Sequence, residues 1–118
     1  MKPTKGIFIK VIENHGKQGD STYIIIDLET KKRHVKRVTK LSTNSQCGYI
    51  GTCHAIFLFK ERIIYTPNKN VVKWVNNKAY HSKKYSHIDI EKCDNFLNNL
   101  EFNPNVVLWD NVIFGKYK

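Results

Sequence analysis

The 118-residue sequence has few cysteines, and none of them are spaced as metal ligands. Cys47, Cys53 and Cys93 are an odd number without a CxxC pair, so neither a disulfide framework nor a zinc site is expected. No apolar run approaches the roughly 18–20 residues of a membrane span, and the N-terminus lacks the apolar region of a signal peptide. We therefore expect a cytoplasmic protein with no membrane partner, no metal and no other cofactor.

Acidic residues are also scarce, and this scarcity bears on the choice of partner. The chain carries 20 Lys and Arg against 10 Asp and Glu, a formal net charge of +10. Such an excess on a small protein attracts polyanions. Since 41% of the residues are hydrophobic and 25% charged, the composition is that of a folded protein, and the length predicts one domain over residues 1–118.

The positive charge is clustered, which favours nucleic acid as the partner. Residues 31–40 contain six basic residues and no acid, and a second basic group lies among aromatic residues that can stack on bases. The alternative is that these are solvated faces of a protein with a lysine-rich composition. The basic residues of the two groups are Lys31, Lys32, Arg33, Lys36, Arg37, Lys40, then Lys69, Lys73, Lys78, Lys83 and Lys84.

Alternating and β-branched apolar residues, turn residues and N-cap residues predict an α/β fold with the order β-β-β-α-β-α-α-β. The first three strands form an antiparallel meander, and helices cover a mixed five-stranded sheet. Cys93, Trp74 and Trp109 are predicted to be core residues, and His54 a helix-packing residue. The predicted elements are strands 6–13, 22–28 and 34–38, helix 47–59, strand 63–65, helices 68–77 and 88–100, strand 105–109, and an aromatic tail at 112–117.

Five local strings resemble motifs of the ribonuclease H family, especially its Bacteroidetes variants, in the family's order. The resemblance covers nearly the whole chain and implies a ribonuclease H-like fold. The matches are GKQGD at 16–20 with G-N-P-G-D, YIIIDLETKK at 23–32 with Y-x-G-V-D-x-x-T-G-K, TNS at 43–45 and HA at 54–55 with T-N-N and H-A, IYT at 64–66 and VKWV at 72–75 with I-Y-S and I-x-W-V, and VLWD at 107–110 and FG at 114–115 with K-W-[DE] and W-G.

The carboxylates that the resemblance calls for are missing. The family holds two divalent metals about 4 Å apart with four carboxylates. Three of these positions fall on Val11, Gly48 and Pro67, and the fourth would fall beyond Lys118. Glu13 shares the strand face of Val11 and is the one nearby substitute, but a single carboxylate does not hold two magnesium ions. We therefore expect an inactive enzyme.

The family's RNA-contacting positions are better preserved than its cutting positions. Lys17 lies in the turn after the first strand, and Thr43, Asn44 and Gln46 lie at the start of the first helix. These polar side chains are suited to contacts with phosphates and 2′-hydroxyl groups. The alternative is that residues 43–46 only cap a helix. In the family, a basic segment called the handle follows the second helix, and four residues of this sequence correspond to it. They are Lys78, His81, Lys83 and Lys84.

The leading hypothesis is a catalytically inactive ribonuclease H-like protein that binds structured RNA, rather than DNA, as a small basic component of a ribonucleoprotein particle such as the ribosome. The alternatives are a protein-interaction scaffold or a phage or mobile-element accessory protein on the same fold. In the scaffold hypothesis, Val112, Ile113, Phe114 and Tyr117 form the interface with other proteins.

Overall fold

The computed structural model describes residues 2–13, 20–41, 43–78 and 87–115. The predicted order of elements is confirmed over these residues, with one short helix added at the end. The elements are β1 Ile7–Glu13, β2 Ser21–Asp27, β3 Arg33–Val38, α1 Asn44–Leu58, β4 Ile64–Thr66, α2 Lys69–Asn76, α3 Ile88–Asn98, β5 Val106–Leu108 and α4 Asn111–Phe114.

The five strands form one mixed sheet in the order β3-β2-β1-β4-β5. The pairs β1–β2 and β2–β3 are antiparallel, whereas β4 pairs in parallel with β1 and β5. The predicted antiparallel meander and mixed five-stranded sheet are therefore confirmed. Because β4 and β5 run parallel to β1, each needs a crossover connection, which α1, and then α2 with α3, supply.

Successive residues of β1 and β2 point to opposite faces of the sheet, and both faces are apolar near its centre. On one face, Ile9 and Ile25 are directly paired and pack with α1, α2 and α3 in the larger core. On the other, Phe8 and Ile26 are paired and pack with Trp109 in a smaller core. The two long strands are rich in isoleucine because they are covered on both sides.

Helix α1 begins at Asn44, three residues earlier than the sequence predicts for its apolar run. Thr43 is the N-cap, and its hydroxyl accepts a hydrogen bond from the Gln46 amide while the Gln46 side chain accepts one from the Thr43 amide. This reciprocal capping box satisfies two amide groups at the helix start. Gly51 lies so close to the sheet that a Cβ there would come 2.8 Å from the Tyr23 ring, so glycine permits the close packing of α1.

The segment predicted as an aromatic tail begins with a helical turn, α4, which corrects that prediction. Asp110 caps it, and its carboxylate accepts hydrogen bonds from the amides of Val112 and Ile113. Phe114 then packs on Trp109, and the Trp109 indole donates a hydrogen bond of 2.9 Å to the Gly115 carbonyl. Four residues carry too little periodicity to be recognised as a helix from sequence.

No helix in the described part of the chain is both long enough and apolar enough to cross a bilayer.

Candidate nucleic-acid interface

Two of the positions that the motif matches assign to metal ligands lie together in space. A Cβ placed on Gly48 would lie 3.7 Å from Val11 Cγ2 and 3.2 Å from Val71 Cγ2. The contact joins β1, α1 and α2 through apolar groups. Pro67, the third assigned position, directly follows β4 and is exposed. Within the described ranges, no three His, Cys, Asp or Glu side chains are grouped closely enough to hold a metal ion.

The N-termini of α1 and α2 are tied together at one edge of the sheet. The Asn68 amide donates a hydrogen bond of 2.7 Å to Ser45 Oγ, and its oxygen caps α2 by accepting from the amides of Asn70 and Val71. Neither helix has an acidic residue in its first turn, whereas α3 has two. The N-terminal ends of the two helices, each with a partial positive charge, therefore lie side by side. Neither first turn contains a carboxylate that would offset this charge.

The candidate residues at the start of α1 have different environments. Thr43 and Asn44 are exposed, and Asn44 Oδ1 accepts a hydrogen bond of 2.9 Å from Ser21 Oγ. The Gln46 side chain is fully buried in the capping box. Gln46 therefore supports the helix and does not face a ligand at the surface, because the carbonyl oxygen that makes the cap lies inside the protein. The sequence pattern suits both roles equally, and burial distinguishes them.

Strand β3 is an edge strand, and its basic residues are divided between the two faces of the sheet. Arg33 and Arg37 are paired with Ile26 and Thr22, on the face away from α1. Lys36 lies on the opposite face, where the helices pack. A strand alternates its side chains, so the continuous basic run in sequence is divided into two arginines on one face and one lysine on the other. The charges also protect the open edge from pairing with another strand.

One of the arginines of β3 is engaged by an acid. The Arg37 guanidinium forms an ion pair with Asp20, whose side chain is mostly buried. A second ion pair, 3.3 Å long, joins Arg62 to Asp27 at the end of β2, next to the β2–β3 turn. Burial of the Asp27 carboxyl raises its pKa, but hydrogen bonds from the amides of Thr30 and Glu29 and from Arg62 outweigh this effect, so the net pKa lies below its ordinary value.

Lysines occupy left-handed backbone positions where glycine is usual. Lys31, in the β2–β3 turn, has φ +66°, and Lys78, just after α2, has φ +58°. The motif that the hairpin resembles has glycine at the position of Lys31. A lysine here costs about 1–2 kcal/mol of backbone strain. Lys31 and Lys32 are exposed at the hairpin tip, next to Arg33.

Helix α2 presents two lysines to solvent. Val71 and Val75 face the core, while Lys69 and Lys73, one turn apart, are exposed on the other side. Lys69 is the first helical residue after Asn68, so it lies at the edge where α1 and α2 begin. The other candidates fall outside the described residues, and they are Lys17, His81, Lys83 and Lys84.

His54 has a polar partner that the sequence did not indicate. The Tyr23 hydroxyl lies 2.8 Å from His54 Nδ1, and the two rings meet edge to face. Burial, and then the charges of Lys36 and His34, lower the pKa of His54 below its usual value, so the imidazole is neutral at pH 7. Burial raises the pKa of Tyr23, so its hydroxyl keeps its proton while it is hydrogen-bonded to Nδ1.

The three cysteines are buried, and their environment disfavours thiolate chemistry. Burial raises the pKa of the Cys47 thiol to about 12. Burial, and then a hydrogen bond with Cys93, raises the pKa of Cys53. Nucleophilic cysteines need a lowered pKa, so these thiols serve the packing of α1 and α3.

No protein-family model matches this chain, and no curated protein matches it significantly.

Proposed function

We propose that the chain is a ribonuclease H-like domain that has lost metal-dependent hydrolysis and binds structured RNA as a small basic component of a cytoplasmic ribonucleoprotein particle. The sheet order β3-β2-β1-β4-β5, with an antiparallel meander followed by two parallel strands, supports this choice of fold. The observation that carries the proposal is the contact between Gly48, Val11 and Val71. Apolar atoms stand where the resemblance calls for metal-binding carboxylates.

The distribution of charge supports RNA as the ligand. The excess of ten positive charges attracts the phosphate backbone. The loss of the clustered metal-binding carboxylates also removes their repulsion of phosphates. The proposed interface consists of the joined starts of α1 and α2, the exposed lysines of α2, and the basic hairpin and strand β3. Its described members are Lys31, Lys32, Arg33, Lys36, Arg37, Thr43, Asn44, Lys69, Lys73 and Lys78.

The experiment combines binding and hydrolysis with a matched control. We expect the protein to bind a structured RNA and the Lys69→Gln/Lys73→Gln variant to bind it about tenfold more weakly. Lys2→Gln/Lys60→Gln removes the same charge from two exposed positions outside the interface and should change binding less than threefold. No cleavage of an RNA–DNA hybrid is expected with Mg²⁺ or Mn²⁺. Cleavage that Glu13→Gln abolishes, or equal losses in both double variants, would refute the proposal.

One observation favours the second hypothesis, a protein-interaction scaffold. Val112 is 94% exposed and Ile113 65% exposed on α4. Exposed neighbouring apolar side chains are typical of protein interfaces. If this surface is the functional one, Val112→Ser/Ile113→Ser will abolish co-purification with a protein partner after nuclease treatment, while RNA binding by the purified variant stays unchanged.

A further inference from the structure

A cavity opens between β3, α1 and α3, on the sheet face that the helices cover. Its volume is about 350 Å³, near the lower end of the roughly 300–1,000 Å³ typical of small-molecule sites. It therefore suits one small ligand or a single unit of a polymer. Its floor is apolar and includes Cys53 and Cys93.

One wall of the cavity is aromatic and open to solvent. Phe57, near the end of α1, is 61% exposed, and its ring centroid lies 6.3 Å from that of Phe96 on α3. An exposed phenylalanine at a cavity wall provides a flat surface on which a nucleobase stacks, whatever the base.

The cavity also has polar groups, and most of its charge is positive. Lys36 contributes from β3 and Lys92 from α3, and among the described lining residues Asp89 is the one acid. His54 lies in the wall, and its Nδ1 is hydrogen-bonded to the Tyr23 hydroxyl. The wall thus combines a ring surface, an imidazole and two cations.

We propose that this cavity takes one unpaired nucleotide of the bound RNA, with the base against Phe57 and the phosphate near Lys36 and Lys92. The inference rests on the proposed RNA-binding function and adds a preference for RNA with an unstacked base, such as a bulge or loop. The exposed ring of Phe57 suits a base, and the two lysines suit its phosphate. An unstacked base can reach such an open cavity, whereas a base held in a duplex cannot. Helix α1 links this cavity to the proposed interface, because Asn44 begins the helix and Phe57 lies near its end.

The test uses a hairpin RNA with a single-nucleotide bulge and the same hairpin without it. Phe57→Leu keeps an apolar side chain at an exposed position but removes the ring. We expect it to weaken binding of the bulged RNA about tenfold and to leave the fully paired RNA unchanged. Lys92→Gln should weaken binding of the bulged RNA more than Lys60→Gln, which removes the same charge elsewhere.

A second measurement separates failure of the pocket from failure of RNA binding. Titration with uridine or adenosine monophosphate, followed by NMR, should shift the ring signals of Phe57, Phe96 and His54 in the parent. In Phe57→Leu, the ring signals of Phe96 and His54 should stay unshifted. Absence of these shifts in the parent overturns the pocket, whether or not RNA binds. If RNA binds but Phe57→Leu affects both hairpins equally, the pocket is wrong and the proposed function stands. Ring shifts without RNA binding overturn the proposed function and leave a free-nucleotide site.

Discussion

Gly48 on α1 packs directly against Val71 on α2, and a Cβ on Gly48 would lie only 3.2 Å from Val71 Cγ2. Two helices approach closely at a position where the ribonuclease H motifs carry glutamate. Val11 of β1 completes the contact at 3.7 Å from the same hypothetical Cβ. Valine methyl groups therefore border this position, and a carboxylate side chain there would have to push them aside or lie against them.

Gly48→Glu should therefore destabilise the fold without restoring activity. A carboxylate at this contact must displace Val71 or remain poorly solvated, and we expect a loss of about 2–4 kcal/mol in the free energy of unfolding. Gly48→Ala gains helix propensity and meets only a movable side chain, so it should stay within about 1 kcal/mol of the parent. Urea unfolding measures both. A Gly48→Glu variant as stable as the parent that binds Mn²⁺ would contradict the account.

Lys31→Gly should stabilise the protein and weaken its binding to RNA. Glycine relieves the strain at φ +66° but gives the unfolded chain more freedom, for a net gain of about 0.5–1 kcal/mol. Loss of the charge should reduce the slope of log K against log salt by about 0.7–0.9 if Lys31 contacts a phosphate. Thermal unfolding and RNA titration measure the two effects.

Lys40 provides the matched control, because it also has a positive φ, +61°, and is exposed. It is not among the proposed interface residues. Lys40→Gly should give a similar gain in stability with little change in RNA affinity. If Lys31→Gly and Lys40→Gly lose RNA affinity equally, the loss reflects net charge alone, and the proposed contact between Lys31 and RNA is wrong.

The stability of the protein should fall as the pH drops below about 6.5. The pKa of His54 is lower in the folded state than in the unfolded chain, where it is about 6.5. As the pH falls, His54 therefore takes up a proton in the unfolded chain before it does so in the folded protein. This favours unfolding, so the free energy of unfolding decreases from about pH 6.5 down to the folded-state pKa of His54. Urea midpoints from pH 5 to 8 measure this effect.

His54→Gln keeps a polar side chain opposite the Tyr23 hydroxyl and removes the titrating group. The variant should show a smaller decrease in stability between pH 7 and pH 5 than the parent. An unchanged pH profile would show that the decrease belongs to other groups.

The fold could be predicted at the level of element order because its signals are local. The isoleucines of β1 and β2 and the cap at Thr43 each act over a few residues. The single turn of α4 escaped prediction, since Asp110 caps only four residues. The placement of these elements in a ribonuclease H-like topology stays a prediction from motifs.

The candidate site was harder to predict because its geometry depends on contacts between distant segments. Helix α1 is apolar on almost every side, so its sequence does not indicate that Phe57 is exposed. Lys36 and Lys92 are 56 residues apart in sequence, and they line the same cavity only because α3 packs on α1. The division of the β3 charges, by contrast, follows from strand alternation once the strand is recognised.

The most direct measurement of the central claim is the affinity for a structured RNA, followed by fluorescence anisotropy between 50 and 300 mM salt, with Mn²⁺ present and RNA integrity checked afterwards. If about five basic residues contact phosphates, log K should fall with log salt with a slope of about −3.5 to −4.5. The account predicts that slope and intact RNA. An affinity independent of salt, or RNA cut in the presence of Mn²⁺, would contradict it.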